Sequence, residues 1–169
     1  HGLDEDAVEK IFNPDLSAME QLEGFTKYLN VIEKCSSASK GCGGTYKVMP
    51  KTRTNDGYGN VKITTVNSDR VILNDGTLIW FGKRSWKGNC ETTYLVDGKP
   101  VPEYYTAQHC AEIFFDINGP YKGRNQFGYD CYSFAVAPQK LNQHSGYGGL
   151  YDTMRTGKLE YEKYSAGKY

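Results

Sequence analysis

Side chains that carry oxygen ligands gather in one glycine-rich stretch, between residues 115 and 136. Four of them are carboxylates or amides: Asp116, Asn118, Asn125 and Asp130. Calcium takes roughly six to eight oxygen ligands from such groups, so this loop is a candidate calcium site. The alternative is that these residues make Asx-turns and cap strand ends, as Asp and Asn do without a metal. Calcium is the one cofactor that the sequence suggests.

The five cysteines suit an oxidising compartment. Cys35 and Cys42 bracket a short flexible loop, and we expect them to form one disulfide bond. Cys90 and Cys110 are expected to form a second bond. Cys131 could replace either member of that second pair, or remain a buried free thiol. Because no CxxC pair occurs and the histidines are scattered, a structural zinc site is not expected.

No pattern of residues predicts catalysis. Carboxylate pairs such as Glu20 and Glu23 fall on polar faces or in the tail, where a solvated surface is the simpler interpretation. The motifs of serine hydrolases, zinc proteases, phosphate-binding loops and dinucleotide-binding domains are absent from the sequence. A nucleophile–base pair of a cysteine with His109 would need a cysteine that is not oxidised. We therefore expect a protein that is not an enzyme.

The composition favours a β-rich domain of extracellular character, with 14 Tyr and 19 Gly in 169 residues. Twenty basic residues balance 20 acidic ones, so the charge gives no indication of nucleic-acid binding. No run approaches the ~20 apolar residues of a membrane helix. Several tyrosines lie in or near loops and could form a contact surface for protein or carbohydrate, or else border the core: Tyr104, Tyr105, Tyr121, Tyr129 and Tyr151.

The element expected to support this region is an amphipathic helix over residues 4–35. Asn13–Pro14 ends or kinks the first part of it, and Asn13 then makes a fair N-cap with Pro14 at the first helical position. Apolar residues follow at steps of three and four, which is the stripe of a helix packed on a core: Leu16, Met19, Leu22, Phe25, Leu29 and Ile32.

The rest of the chain alternates with the period of strands. Ile113, Phe115 and Ile117 precede the glycine-rich crossing, and alternating aromatics follow it. Asp75–Gly76 predicts a type I′ hairpin. The fold class is therefore α+β, with the long N-terminal amphipathic helix packed on an antiparallel sheet of about four to five strands. One domain spans residues 1–169, divided into a helix (4–35), a loop (36–60), the sheet region (61–136) and a C-terminal tail (137–169).

Two stretches resemble the globular domain of type IV pilins and of type II secretion pseudopilins. VILNDGTLIWF (71–81) is similar to the family's hairpin. FDINGPYKGRNQFGYDCYSFAV (115–136) is similar to a recurring signature of Asp-x-Asn-Gly, Lys-Gly-x-Asn and Gly-x-Asp, followed by alternating aromatics. Arg124 stands where the family commonly has proline, and the chain lacks the prepilin cleavage site and the apolar first half-helix.

The resemblance implies a non-enzymatic structural subunit, a major or minor pilin or pseudopilin, of an extracellular or periplasm-spanning bacterial filament. Its partners would be other pilin-like subunits, through the N-terminal helix, and the inner membrane before assembly, through the half-helix. Some pseudopilins use calcium in this general region. The alternative is a secreted or filament-tip module that binds protein or carbohydrate through its tyrosine-rich surface.

Overall fold

The computed structural model describes residues 5–37, 40–53, 62–83, 90–92, 95–96, 99–100, 107–108, 110–137, 140–143 and 150–164. The described helices are short: α1 is Glu5–Ile11, α2 is Ala18–Thr26 and α3 is Leu150–Thr156. Within these ranges, no helix has both the length and the apolar character needed to cross a membrane. Most of the regular structure is antiparallel sheet.

The strands follow one another along the chain as β1 Val31–Cys35, β2 Tyr46–Val48, β3 Thr64–Val66, β4 Arg70–Leu73, β5 Leu78–Lys83, β6 Glu91–Thr92, β7 Leu95–Val96, β8 Lys99–Pro100, β9 Ala107–Gln108, β10 Ala111–Asp116, β11 Cys131–Ala137 and β12 Lys140–Gln143. The central sheet has the order β1-β4-β5-β10-β11-β12. Three two-stranded ribbons pair β2 with β3, β6 with β9 and β7 with β8.

The central sheet is the middle of three layers. On one face, Phe12 of the segment after α1 and Leu22 of α2 are buried against Phe81 and Ile113. The opposite face is covered by the β2–β3 ribbon, which belongs to a second buried cluster with Trp80 and Phe114 of the sheet. Both faces of β5 and β10 are therefore buried, which explains why these strands read as nearly continuous apolar runs.

The hairpin predicted at Asp75–Gly76 forms between β4 and β5, but its turn is not type I′. Gly76 has a φ of 93°, whereas Asp75 is not among the residues with positive φ. The Gly76 amide donates to the Leu73 carbonyl, and the Leu73 amide donates to the Thr77 carbonyl. This is the pattern of a type I turn followed by a left-handed glycine, the usual three-residue hairpin loop.

The predicted long helix over residues 4–35 is wrong, and with it the predicted fold class. Helix α1 ends at Ile11, before Asn13–Pro14, and α2 starts afresh after Ser17. The Ser17 hydroxyl accepts a hydrogen bond from the Glu20 amide (3.2 Å), and the Ser17 amide donates to the Glu20 carboxylate (2.7 Å). This capping box satisfies amides that a continuous helix would pair internally, and so fixes a separate start.

The predicted apolar stripe also ends early, because residues 31–35 form strand β1. Helix α2 ends at Thr26, and the Asn74 amide donates to the Asn30 carbonyl where the chain begins to pair with β4. Leu29 and Ile32 are consequently 41% and 64% exposed, although they continue the helical spacing. The β-branched pair Val31–Ile32 favours the strand. The central sheet has six strands rather than the predicted four to five.

Two leucine substitutions distinguish this fold from the single helix. Leu22→Ala is expected to lower the free energy of unfolding by about 2–5 kcal/mol, because Leu22 is fully buried in the core. The matched Leu29→Ala variant is expected to change it by about 0.5 kcal/mol, because Leu29 is exposed. Urea unfolding of both variants measures the difference, and equal large losses would show that both leucines face the core.

Candidate functional site

The predicted acceptor-rich loop lies at one end of the central sheet, where it connects β10 to β11. Asp116, the last residue of β10, is paired in register with Cys131, the first residue of β11. Asp130 precedes Cys131 and is 1% exposed, while Asp116 is completely buried. Two neighbouring strands thus bring two carboxylates and one thiol together. The three groups have ligand atoms within 4.8 Å of one another.

Asp130 closes the turn at residues 124–126 with its carboxylate. Its Oδ2 accepts hydrogen bonds from the amides of Arg124 (2.8 Å) and Asn125 (3.1 Å). Its Oδ1 accepts from the amide of Gln126 (2.7 Å). Asn125 has a φ of 51°, a left-handed conformation that asparagine tolerates better than most residues. Both oxygens of Asp130 are therefore used to hold the backbone of its own loop.

Asp116 closes the first half of the crossing in the same way. Its Oδ1 accepts hydrogen bonds from the amides of Asn118 (2.9 Å) and Gly119 (3.1 Å). Its Oδ2 accepts from the hydroxyl of Tyr46, which reaches it from β2. The Tyr46 oxygen also lies 3.3 Å from the Cys131 sulfur. Asp116 therefore ties the loop to the ribbon that covers the sheet.

Two positions of the loop require glycine, because neighbouring atoms lie too close to the backbone there for a side chain. Gly119 has a φ of 74° and Gly123 a φ of 84°, so a side chain would strain the backbone at either position. A Cβ atom at Gly119 would collide with the Gly76 carbonyl oxygen of the β4–β5 turn. At Gly123 it would collide with Oδ2 of Asp130. The loop is thus packed against both its neighbour turn and its own carboxylate.

Burial raises the pKa of Asp116 to about 6, and the charge of Asp130 contributes to the rise. Hydrogen bonds from Tyr46 and from the amides of Asn118 and Gly119 act in the opposite direction, because they stabilise the carboxylate. Asp116 is consequently ionised at neutral pH and takes up a proton in mildly acidic solution.

Burial also raises the pKa of the Cys131 thiol well above its ordinary value, with the charge of Asp116 adding to the effect. The pKa of Tyr46 is raised by burial and by the neighbouring Cys131 and Asp116. Both groups therefore stay protonated at neutral pH. A buried, protonated thiol is a poor nucleophile, because the thiolate is the reactive form.

The four predicted calcium ligands are only partly brought together. Asp116 and Asp130 share the buried cluster, whereas Asn118 is exposed and Asn125 is half-buried. Every carboxylate oxygen of the two aspartates already accepts at least one N–H or O–H. A cation between them would compete with these donors, so the geometry favours the turn-forming interpretation. Calcium binding stays a prediction.

Both predicted disulfide pairs lie at bonding distance. The Cα atoms of Cys35 and Cys42 are 6.0 Å apart, and those of Cys90 and Cys110 are 4.7 Å apart. Cys131 is the free cysteine, and it is buried. The Cys35–Cys42 loop is further held by the buried guanidinium of Arg70, which donates to the carbonyl groups of residues 41, 42 and 44.

Three of the five tyrosines of the predicted contact surface lie in the part of the chain that the structure describes. Tyr121 and Tyr151 are 74% and 63% exposed. The Tyr121 hydroxyl accepts a hydrogen bond from the Gly43 amide (3.1 Å), so this ring lies against the Cys35–Cys42 loop. Tyr129 is half-buried beside Arg124. Tyr104 and Tyr105 lie outside the residues that the structure describes, as does His109.

Tyr46 is the member of the cluster that the sequence did not reveal. It stands 70 positions before Asp116, in a strand of three residues, and no local motif links the two. No protein-family model matches the chain, and the searches of curated proteins and of solved structures gave no match either. The geometry of the cluster therefore carries the functional conclusion. Its groups hold backbone and one another, and leave no exposed nucleophile or base.

The carboxyl group of Asp116 makes stability depend on pH in an unusual direction. Its folded pKa of about 6 lies above its ordinary value of 3.8, so the folded state holds the proton more tightly. Stability from this group is full below pH 3.8 and is lost as the pH rises to about 6. Urea unfolding of wild type and Asp116→Asn should therefore show the wild type's relative stability falling across this range.

The matched control is Asp75→Asn, at an exposed turn carboxylate. The Thr77 amide lowers the pKa of Asp75, so this group adds stability as the pH rises. This contribution is complete above pH 3.8 and is lost only at lower pH, so the difference in stability between wild type and the control should stay nearly constant between pH 4 and pH 7. A wild-type/Asp116→Asn difference that is constant between pH 4 and pH 7 would contradict the assigned environment of Asp116.

Proposed function

We propose that this chain is a non-enzymatic structural subunit, a major or minor pilin or pseudopilin, of an extracellular or periplasm-spanning filament. The observation that carries the proposal is that two aspartates of the signature, between residues 116 and 130, bind the backbone of their own loop. Five backbone amides donate to the carboxylates of Asp116 and Asp130. Residues that resemble a pilin signature thus serve to hold a surface loop in shape, which is a structural task.

The covalent cross-links support the same proposal. Two disulfide bonds, Cys35–Cys42 and Cys90–Cys110, suit a protein that works in an oxidising compartment outside the cytoplasm. Cross-links restrict the unfolded state and so stabilise a domain exposed to shear and proteases. A third feature is the cluster of Tyr46, Asp116, Asp130 and Cys131, whose side chains are all buried.

The partners in this proposal are other subunits of the filament and, before assembly, the inner membrane. In this proposal the N-terminal region contributes to the contact between subunits, where α1 and α2 are short and α2 packs on the central sheet. The membrane contact before assembly would need an apolar helix, and none of the described helices is long and apolar enough to cross a membrane. The sheet domain would then form the outer surface of the filament.

A secreted or filament-tip binding module is the second candidate. The exposed rings of Tyr121 and Tyr151 favour it, because exposed aromatic side chains are common at binding surfaces. Against it, Tyr129 already packs on side chains of the same chain. A freely secreted module would differ from the filament subunit in that it is not found in a polymer.

Immunogold electron microscopy in the native host tests the proposal. Antibodies raised against the folded domain should label surface fibres or the sheared fibre fraction, and deleting the gene should remove or shorten those fibres. Antibodies depleted on the purified domain provide the control. If the antigen is found only as free monomer in the medium, and the fibres of the deletion strain are unchanged, the filament proposal is wrong and the binding module is favoured.

A further inference from the structure

Residues 160–164, the tail segment, lie in a groove formed by residues 49–53 and 124–130. We call this the tail groove. Gln126 lies at its centre and is completely buried. Its side-chain amide donates to the carbonyl groups of Pro50 (3.2 Å) and Glu162 (2.9 Å). One side chain therefore joins the two walls of the groove to the segment that occupies it.

The main-chain groups of the tail segment form hydrogen bonds with the groove along the length of the segment. The Glu162 amide donates to the Lys51 carbonyl (2.9 Å). The guanidinium of Arg124 donates to the Tyr164 carbonyl (2.5 Å). Together with the contact from Gln126, these bonds resemble the way in which an extended peptide is bound by a protein, through its backbone.

Side chains of the tail segment are recognised as well. Glu160 forms an ion pair with Lys51 (2.6 Å), and the Glu162 carboxylate accepts from the Arg53 amide (2.9 Å). The ring of Tyr161 lies 5.8 Å from the guanidinium of Arg124. These contacts match the groove to an acidic, an aromatic and an acidic residue in succession, which is the sequence at positions 160–162.

The chain that leads to the tail segment is weakly attached. None of the residues of α3 is buried. Gly157 follows with a φ of 66°, and a Cβ atom there would meet nothing within 4 Å. Lys158 and Leu159 are exposed. The groove therefore binds the five residues firmly, while the residues before them can change direction with little loss of contact.

We propose that the tail groove also accepts the tail segment of a second copy of this chain, so that two copies exchange their C-terminal segments. Exchange keeps every contact of the groove and alters only the path of residues 157–159. The balance between closed monomer and exchanged dimer is then set by concentration. The proposal does not depend on the filament assignment, since a secreted monomer could exchange segments equally well.

Two full-length charge-reversal variants test the exchange. Lys51→Glu places a second negative charge beside Glu160 of the same copy. Glu160→Lys places a second positive charge beside Lys51 of the same copy. In a mixture of the two variants, reciprocal exchange restores an opposite-charge pair in both grooves. The mixture should therefore contain roughly tenfold more dimer than either variant alone, measured by light scattering after size-exclusion chromatography.

The double variant Lys51→Glu/Glu160→Lys is the matched control. It restores the ion pair within each copy, and should contain no more dimer than the wild type. Circular dichroism establishes that each variant is folded. A mixture of folded single variants that shows only the dimer content of its components would overturn the proposal.

A deletion of Lys158 and Leu159 gives an independent test that does not alter the groove. A shortened hinge hinders the segment from reaching its own groove and favours exchange. We expect this variant to be mainly dimeric, with its tail segment protected from carboxypeptidase. A monomeric variant, whether its tail is digested or still protected, would contradict the proposal.

Discussion

The structure depends on two buried carboxylates, which take the place of water as hydrogen-bond acceptors for the backbone amides of one loop. The crossing between β10 and β11 turns sharply at several glycines, and its amides cannot pair within a strand. Asp116 and Asp130 accept five of these N–H groups. Each buried amide left unpaired would cost roughly 1–3 kcal/mol. The two aspartates thus hold the backbone of a glycine-rich loop in place, although residues 117–118 and 121–123 of that loop are exposed.

The same loop joins the other parts of the molecule. Through Tyr46, Asp116 connects the central sheet to the ribbon that covers one face. Through Gln126, the loop connects the segment after β2 to the tail segment. The carboxylates fix the backbone of the loop, and this backbone positions the side chain of Gln126. The carboxylates of this candidate site are therefore occupied by donors from the protein itself.

Local patterns in the sequence predicted the parts of the fold that local interactions determine. The alternation around the crossing placed β10 and β11, and Asp75–Gly76 placed the β4–β5 hairpin. The short loop between Cys35 and Cys42 predicted the first disulfide pair, whereas the sequence left Cys131 as an alternative partner in the second pair. The prediction of a long N-terminal helix was wrong. Leu29 and Ile32 fit a helical stripe, but this part of the chain pairs with β4 instead, and a local pattern does not show that pairing. Tyr46 could not be predicted, since its partnership with Asp116 exists only after the ribbon folds over the sheet.

The most direct test of the central role of the two carboxylates is amide hydrogen exchange, resolved by residue with NMR. The amides of Asn118, Gly119, Arg124, Asn125 and Gln126 lie in a loop, yet each donates to a carboxylate of Asp116 or Asp130. They should exchange as slowly as amides of β10, because only global unfolding releases them. Exchange at the rate of an open loop would show that the carboxylates do not hold it.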